Sequence, residues 1–262
     1  MPQRSFSSCN SCCGLLAVIL GVLGGSLVHA VNENNADSDL QRSLGPCHMQ
    51  SSDFDKCIQQ ALNDLQKYYK TGIPAYHVKP FEPQHSDYVE LRRGFAAQGI
   101  GNFYLVLRNV FDRGWSNSKV TRFQAHLAEQ RITFSQHFPE KTLEGQYEFT
   151  ASVLGTQIQR QGPWNLTLRD YSQTTDIVRV AGPGSLLKVH VEIDGIGGME
   201  IHAGNLLGPS INPLADTIVN SLWQLGLPFL KPMLSELVSS AFTDIFNESF
   251  RNFPLAKFLS AK

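Results

Sequence analysis

The stretch KVHVEIDGIGGMEIH, residues 188–202, places two histidines and two glutamates at alternating positions on either side of a glycine-rich centre. Imidazole and carboxylate groups are the ligands that zinc and copper take. A hairpin turning about Ile196 sets His190 against His202 and Glu192 against Glu200 on one face, with Val191, Ile193, Met199 and Ile201 on the other. The same alternation also describes a solvated strand face. Directly opposed glutamates repel, so a register displaced by a residue pair is a competing arrangement. No metal and no cofactor is assigned on this basis. His48, His77, His85, His126 and His137 are scattered and read as polar surface residues.

Other catalytic constellations are missing from the sequence. There is no G-x-S-x-G elbow, no H-E-x-x-H and no P-loop, and Gly195-Ile196-Gly197-Gly198 falls in a turn rather than before a helix. The chain is therefore expected not to be an enzyme. Cys47 and Cys57 close a loop of about ten residues and are expected to form a disulfide. Two free thiols are the alternative, and a zinc site lacks a second cysteine pair. Asn165-Leu166-Thr167 and Asn247-Glu248-Ser249 are sequons. In WNLTLRD, Trp164, Leu166 and Leu168 share one strand face and Asn165 points the other way.

Both the disulfide and the sequons presuppose export, and the N-terminus agrees with it. Arg4 precedes the uncharged GLLAVILGVLGGSLVHA, which ends in Val28-His29-Ala30. Residues 1–30 are read as a signal peptide that removes Cys9, Cys12 and Cys13. A polar leader, 31–45, follows. The next unit is a single domain over 46–258, with 259–262 as a tail. The whole chain of 262 residues has 22 basic and 23 acidic side chains and a net charge of −1. So balanced a chain lacks the electrostatic footprint for nucleic acid or an anionic membrane surface.

The elements that must hold any site follow from periodicity. SSDFDKCIQQALNDLQKYYKTGIP reads as a helix: Phe54, Ile58, Leu62, Leu65 and Tyr69 recur at helical spacing, and Gly72 and Pro74 end it. Prolines 74, 80 and 83 give a turn-rich connection. From about Asn102 to Gly204 the period becomes two, and NFYLVLRNV, VTRFQAHLA, RITFSQHF, LEGQYEFTASVLG, WNLTLRD, DIVRV, LLKVHVEID and MEIHAG read as a meandering antiparallel sheet with one apolar face. That face needs a cover.

The cover is TIVNSLWQLGLPFLKPMLSELVSSAFTDIF, residues 217–246, whose only charges are Lys231, Glu236 and Asp244. Its uncharged run is too short for a bilayer span of about 20 residues, so no stable membrane insertion is expected. A helix apolar nearly all round is otherwise buried. Asn212 caps it, Leu214, Ile218, Leu222 and Leu225 form one stripe, and Leu230, Leu234, Leu237, Ala241 and Ile245 form a second. Gly226, Pro228 and Pro232 are expected to interrupt the helix between them. The fold class is α+β: a long C-terminal helix wrapped by a highly curved antiparallel sheet, with a short disulfide-stapled N-terminal helix.

PCHMQSSDFDKCI, GIPAYHVKPFEP, FPEKTLEGQYEFTASVL, GPWNLTL, KVHVEIDGIGGMEIHAGNLLG and the closing helix, in that order over residues 45–258, resemble the takeout and juvenile-hormone-binding family of secreted insect proteins. The resemblance implies an elongated apolar tunnel between sheet and helix and a role in carrying terpenoid-hormone-like or fatty-acid-like molecules through extracellular, haemolymph-like fluid. It also implies a monomer that answers to a receptor not named by the sequence. The hormone carriers proper have a second disulfide in the sheet, and no cysteine follows Cys57 here, so the chain looks nearer the takeout branch. The bulky residues expected to line the ligand are Phe103, Tyr147, Phe149 and Trp164 on the sheet, with Trp223, Phe229, Leu230 and Met233 around the helix break. An extracellular interaction module with a filled core is the alternative from another class.

Overall fold

The computed structural model describes residues 30–95, 100–153, 156–180, 186–206 and 212–259. The signal-peptide reading of residues 1–30 therefore lies outside the described residues, apart from Ala30.

The stretch read as a polar leader is a helix, α1 (Ala30–Leu44), followed by α2 (Phe54–Asp64). Ala36, Leu40 and Leu44, four residues apart, are all buried. This stripe is only three side chains wide in a polar segment, too narrow to register as amphipathic. Cys47 and Cys57 are bonded, with Cα atoms 5.4 Å apart, and tie the loop after α1 to α2. Two aspartates hold α1 to the body of the protein. Asp37 accepts hydrogen bonds from Tyr76 and Lys257, and Asp39 from Lys67 and Tyr68.

Seven strands form one antiparallel sheet: β1 (Gln84–Phe95), β2 (Ile100–Arg113), β3 (Lys119–His126), β4 (Arg131–Val153), β5 (Thr156–Arg179), β6 (Leu187–Gly195) and β7 (Gly198–Ala203). The spine is the pair β4 and β5, 23 and 24 residues long, each of which takes two partners along its outer edge. β3 pairs the first part of β4 and β2 the second; β7 pairs the first part of β5 and β6 the second. The sequence splits both spine strands in two for a definite reason. At Pro139 and Asp170, which oppose one another, the inward face changes phase: Ile132, Gln136 and Phe138 give way to Lys141 and Tyr147, and Leu166 and Leu168 to Tyr171, Gln173 and Ile177. Asp170 has φ 47° and Asn109 on β2 has φ 49°, a left-handed conformation that Asp and Asn tolerate. At Asn109 the β2–β4 register slips, a bulge of the kind that lets a long sheet curl.

β1 was hidden in the sequence by the same device. Val89 and Leu91 point into the core, yet Gln84 is buried on the other side of a phase change at Asp87, so QHSDYVELRRGF shows no sustained alternation.

α3 (Asn212–Phe250) runs for 39 residues straight through Pro228 and Pro232, so the expected interruption is absent. Both prolines are exposed, where water can satisfy the carbonyls they leave unbonded. The side chains of Asn212, Leu214 and Ile218, parts of the expected cap and first stripe, lie outside the described residues. The rest of that stripe is corrected: Leu222 and Leu225 are 52% and 75% exposed, and Trp223 turns inward instead. The second stripe covers the sheet, with Leu237 and Ile245 buried. No helix among the described residues is long and apolar enough to cross a membrane.

Polar residues of α3 at four-residue spacing seat the helix on the sheet. Backbone N–H groups of Leu187, Val189, Val191 and Ile193 donate to Asn247 Oδ1, Thr243 Oγ1, Ser239 Oγ and Ser235 Oγ at 2.9, 3.1, 2.8 and 3.3 Å. Asn220 does the same for β7, accepting from Ile201 N at 2.8 Å and donating to Ile201 O at 3.0 Å. The outer edge of β6, continued at Ile201 of β7, is thus paired with a helix face.

Ser239→Ala leaves the N–H of Val191, a residue 0% exposed, without its acceptor and should lower unfolding stability by about 1–3 kcal/mol. Ser240→Ala, one position round the helix and exposed, should change it by less than about 0.5 kcal/mol. Urea midpoints of the two variants check this; equal midpoints would remove the ladder's role.

The α1 anchor should respond to acid. Burial alone would raise the Asp37 carboxyl, but hydrogen bonds from Lys257 and Tyr76 overcome it, and hydrogen bonds from Lys67 and then Tyr68 lower Asp39, so both lie below the usual carboxylate value. Their contribution is full above the unfolded value of roughly pH 4 and is lost as pH falls through the lower folded values. Amide exchange at Leu40 and Leu44 should accelerate in that window before the sheet amides do.

Candidate functional site: an apolar cavity between sheet and helix

Between the inner face of β1, β2, β4 and β5 and the helix α3 lies a cavity of about 280 Å³. Its wall is mostly aliphatic: Leu105, Leu143, Leu166 and Leu168 from the sheet face Leu237 and Ala241 from the helix. The strand phase changes decide which residues reach it. Leu105 and Leu107 face inward before the Asn109 bulge and Val110 and Asp112 after it. Phe242 also lines a second, narrower space of about 90 Å³ bounded by Tyr69, Trp115, Phe246 and Phe250. Burial there pushes the Tyr69 phenol up to about 12.

The cavity has one charged feature. Lys141 and Asp112 both line it, with side chains 3% and 11% exposed, and Lys141 Nζ donates to Asp112 Oδ2 at 2.7 Å. The ammonium also lies 4.2 Å from the ring centre of Trp115 and 4.4 Å from that of Phe138, so two aromatic faces enclose it. Burial pushes the lysine down and the aspartic acid up, each against the attraction of the other. Gln84, directly across from Asp112 on β1, and Ser86 add neutral polar groups on the same part of the wall.

Of the residues expected to line a ligand, Tyr147 and Trp164 do line the cavity. The Tyr147 hydroxyl donates to Gly204 O at 2.7 Å, whereas the buried indole N–H of Trp164 has no acceptor among the described residues. Phe103, Phe149 and Met233 belong to an adjoining apolar cluster with Val89, Leu91 and Leu237, the two rings 6.0 Å apart. Leu230 is half-buried and Trp223 is packed in the main core, both away from the cavity wall. The side chain of Phe229 lies outside the described residues.

Sequence reasoning missed the ion pair. Lys141 sits in FPEKTLEG, which reads as a hairpin loop, and Asp112 falls at the end of an apparent strand. The one available signal was that each is spaced by two from an inward apolar neighbour, Leu143 and Val110.

The histidine arrangement is corrected. β6 and β7 do not pair with each other; they lie one after the other along β5, with His190 opposite Asp176 and His202 opposite Asn165. The turn between them joins two collinear strands, so it cannot fold His190 onto His202. Glu200 is instead engaged by Arg169 at 3.2 Å and lies 3.4 Å from His202. Among the described residues no group of three or more His, Cys, Asp or Glu could hold a metal ion.

The two sequons also separate. Asn165 is exposed on the outer face of β5. Asn247 spends its amide nitrogen on Leu187 O and Thr243 O, at 2.8 and 2.7 Å, and Ser249 is 2% exposed. A glycan at Asn247 is incompatible with those bonds.

The description "Haemolymph juvenile hormone binding protein (JHBP)" matches residues 22–260. The chain belongs to this family. The match starts before the range legible in the motifs and takes in α1. Among solved structures, the crystal structure of Epiphyas postvittana Takeout 1 is similar at a TM-score of 0.55 and 15% identity, over 79% of this chain and 96% of that one. That similarity concerns the fold, which is the long helix on a large antiparallel sheet described above. The crystal structure of lipopolysaccharide binding protein aligns at a TM-score of 0.28 and 12% identity, over 74% of this chain and 38% of that one. No curated relative matches the sequence.

Lys141→Met alone strands the Asp112 carboxylate and should cost about 3–5 kcal/mol of stability, whereas Lys141→Met combined with Asp112→Leu should recover most of it. Thermal unfolding of the two variants gives the comparison; a double variant as unstable as the single would mean that the pair is an indispensable part of the packing.

Proposed function

We propose that this JHBP-family protein is a secreted carrier that sequesters a lipophilic small molecule, terpenoid-like or fatty-chain, in the cavity between the sheet and α3. The observation that carries the reading is a space of about 280 Å³ between sheet and helix with an aliphatic wall, close to the lower end of the roughly 300–1,000 Å³ that small-ligand pockets occupy. The family's name supports the ligand class, and the sequence supports export through residues 1–30. Burying about 350 Å² of a chain at roughly 25 cal/mol per Å² gives about 9 kcal/mol, from which the cost of association is subtracted. Juvenile hormone itself is not singled out, because the chain has no cysteine after Cys57 for a second disulfide. Asn165, exposed on the outer face of β5, is the sequon that fits a secreted glycoprotein. In this reading the protein acts as a monomer without catalysis, and discharge to a receptor is a separate step.

The test is displacement of the apolar fluorophore N-phenyl-1-naphthylamine by terpenoids and fatty-chain compounds, with organic-solvent extraction of protein taken from its natural fluid. Ala241→Phe puts a ring into the cavity from the helix side and should weaken binding at least tenfold while the unfolding midpoint stays within a few degrees. No extracted lipid together with no fluorophore binding would end the carrier reading.

A further inference from the structure

The ion pair in the cavity wall asks for an explanation that packing does not supply. Two charges are taken out of water at a cost of several kcal/mol each, and well-packed apolar residues of similar volume are usually as stable or more so. Much of the surrounding wall is suited to such residues: Leu143, Leu168 and Val110 share it, with Gln84 and Ser86 as its neutral polar members. What distinguishes the pair is its place at the cavity and the way its two members are presented.

Lys141 is enclosed. Its ammonium is bonded to Asp112 on one side and lies over the rings of Trp115 and Phe138 on others. Asp112 is held by β2 just past the Asn109 bulge, which turns position 112 inward beside Val110 and opposite Gln84. A carboxylate has about four acceptor sites; Lys141 donates to Oδ2 and lies 2.7 Å from Oδ1, and the Trp115 indole also favours the charged form, which together leave at least one site unfilled. Gln84, opposite on β1, directs its amide nitrogen to His85 O at 3.0 Å. The member of the pair left to meet a guest is therefore an acceptor that cannot donate. A guest that satisfies it must bring a hydrogen, and on an apolar chain the simplest neutral group that does so is a hydroxyl. An ionised acid head meets Asp112 as a like charge. An ether, ester or ketone offers only acceptors.

We infer that the cavity recognises apolar chains ending in a hydroxyl group, alkanols or terpenoid alcohols, through donation of the chain's O–H to Asp112, with Lys141 as the buried counter-charge that keeps the acceptor in place. This rests on the carrier reading and adds a head-group specificity to it. Asp112 acts on the guest directly; Lys141 acts through Asp112.

The experiment is a double-mutant comparison with chain-matched competitors. Wild-type protein and the Lys141→Met/Asp112→Leu variant, which keeps the wall filled and uncharged, are titrated with N-phenyl-1-naphthylamine and competed with 1-decanol, decyl methyl ether, decane and decanoate at neutral pH. In the variant the affinity for 1-decanol should fall about tenfold, the cost of leaving a hydroxyl without its partner, while decane and the ether hold or tighten. The decane result shows that the cavity itself is intact. Three results would overturn the inference. Equal changes for decanol and decane would reduce the pair to a packing element. Loss confined to decanoate would make Lys141 an anchor for acids. Failure of every competitor on wild-type protein would remove the carrier reading, and this inference with it.

Discussion

The arrangement of this molecule depends on a match between two repeats. Four residues of α-helix advance about 6.0 Å and two residues of β-strand about 6.6–6.8 Å. Ser235, Ser239, Thr243 and Asn247, four apart on α3, therefore meet Ile193, Val191, Val189 and Leu187, two apart on β6, with little accumulated error over four rungs. An unpaired sheet edge is a template for association with other chains. Along β6 a helix takes the place of a neighbouring strand. The same bonds fix the height and rotation of α3 over the sheet, and the rotation decides what it presents inward.

That decision makes a cavity possible. A helix held only by apolar packing would settle wherever it could fill space, since voids forfeit contacts. Held along one edge by hydrogen bonds, α3 keeps Leu237, Ala241 and Phe242 opposite Leu105, Leu143 and Leu168 at a spacing the edge sets, and about 280 Å³ stays open between them. The bulges at Asn109 and the phase change at Pro139 and Asp170 do the matching work on the sheet side. They curl the strands and at the same moment exchange which residues face the interior.

These devices also explain what could be read from the sequence. The apolar-faced sheet, the long helix that covers it and the Cys47–Cys57 bond were legible because each rests on a pattern sustained over many residues or on a simple pairing. Tyr147 and Trp164 were legible for the same reason, lying within unbroken alternation. Lys141 and Asp112 were not, because a reader extrapolating alternation across Pro139 or Asn109 puts both on the wrong face. β1 vanished at Asp87 for the same reason. The supposed hairpin at Ile196 failed differently: nothing local distinguishes a turn that folds a strand back from one that hands it on along a long neighbour, and only the length of β5 decides. The rungs of α3 were visible as hydroxyl and amide residues at four-residue spacing, but in so apolar a segment they read as tolerated polar positions instead of a contact surface.

The energetics of the interior then fall into two kinds. The ladder on β6 satisfies backbone groups that would otherwise be buried unpaired, so each rung matters to stability and little to chemistry. The Lys141–Asp112 pair is of the reverse kind, one whose replacement as a unit by apolar residues is expected to cost little. Such a pair is where selectivity among chains of equal greasiness can reside, since methylene groups on a wall of leucines distinguish length and bulk but not the group at the end of the chain.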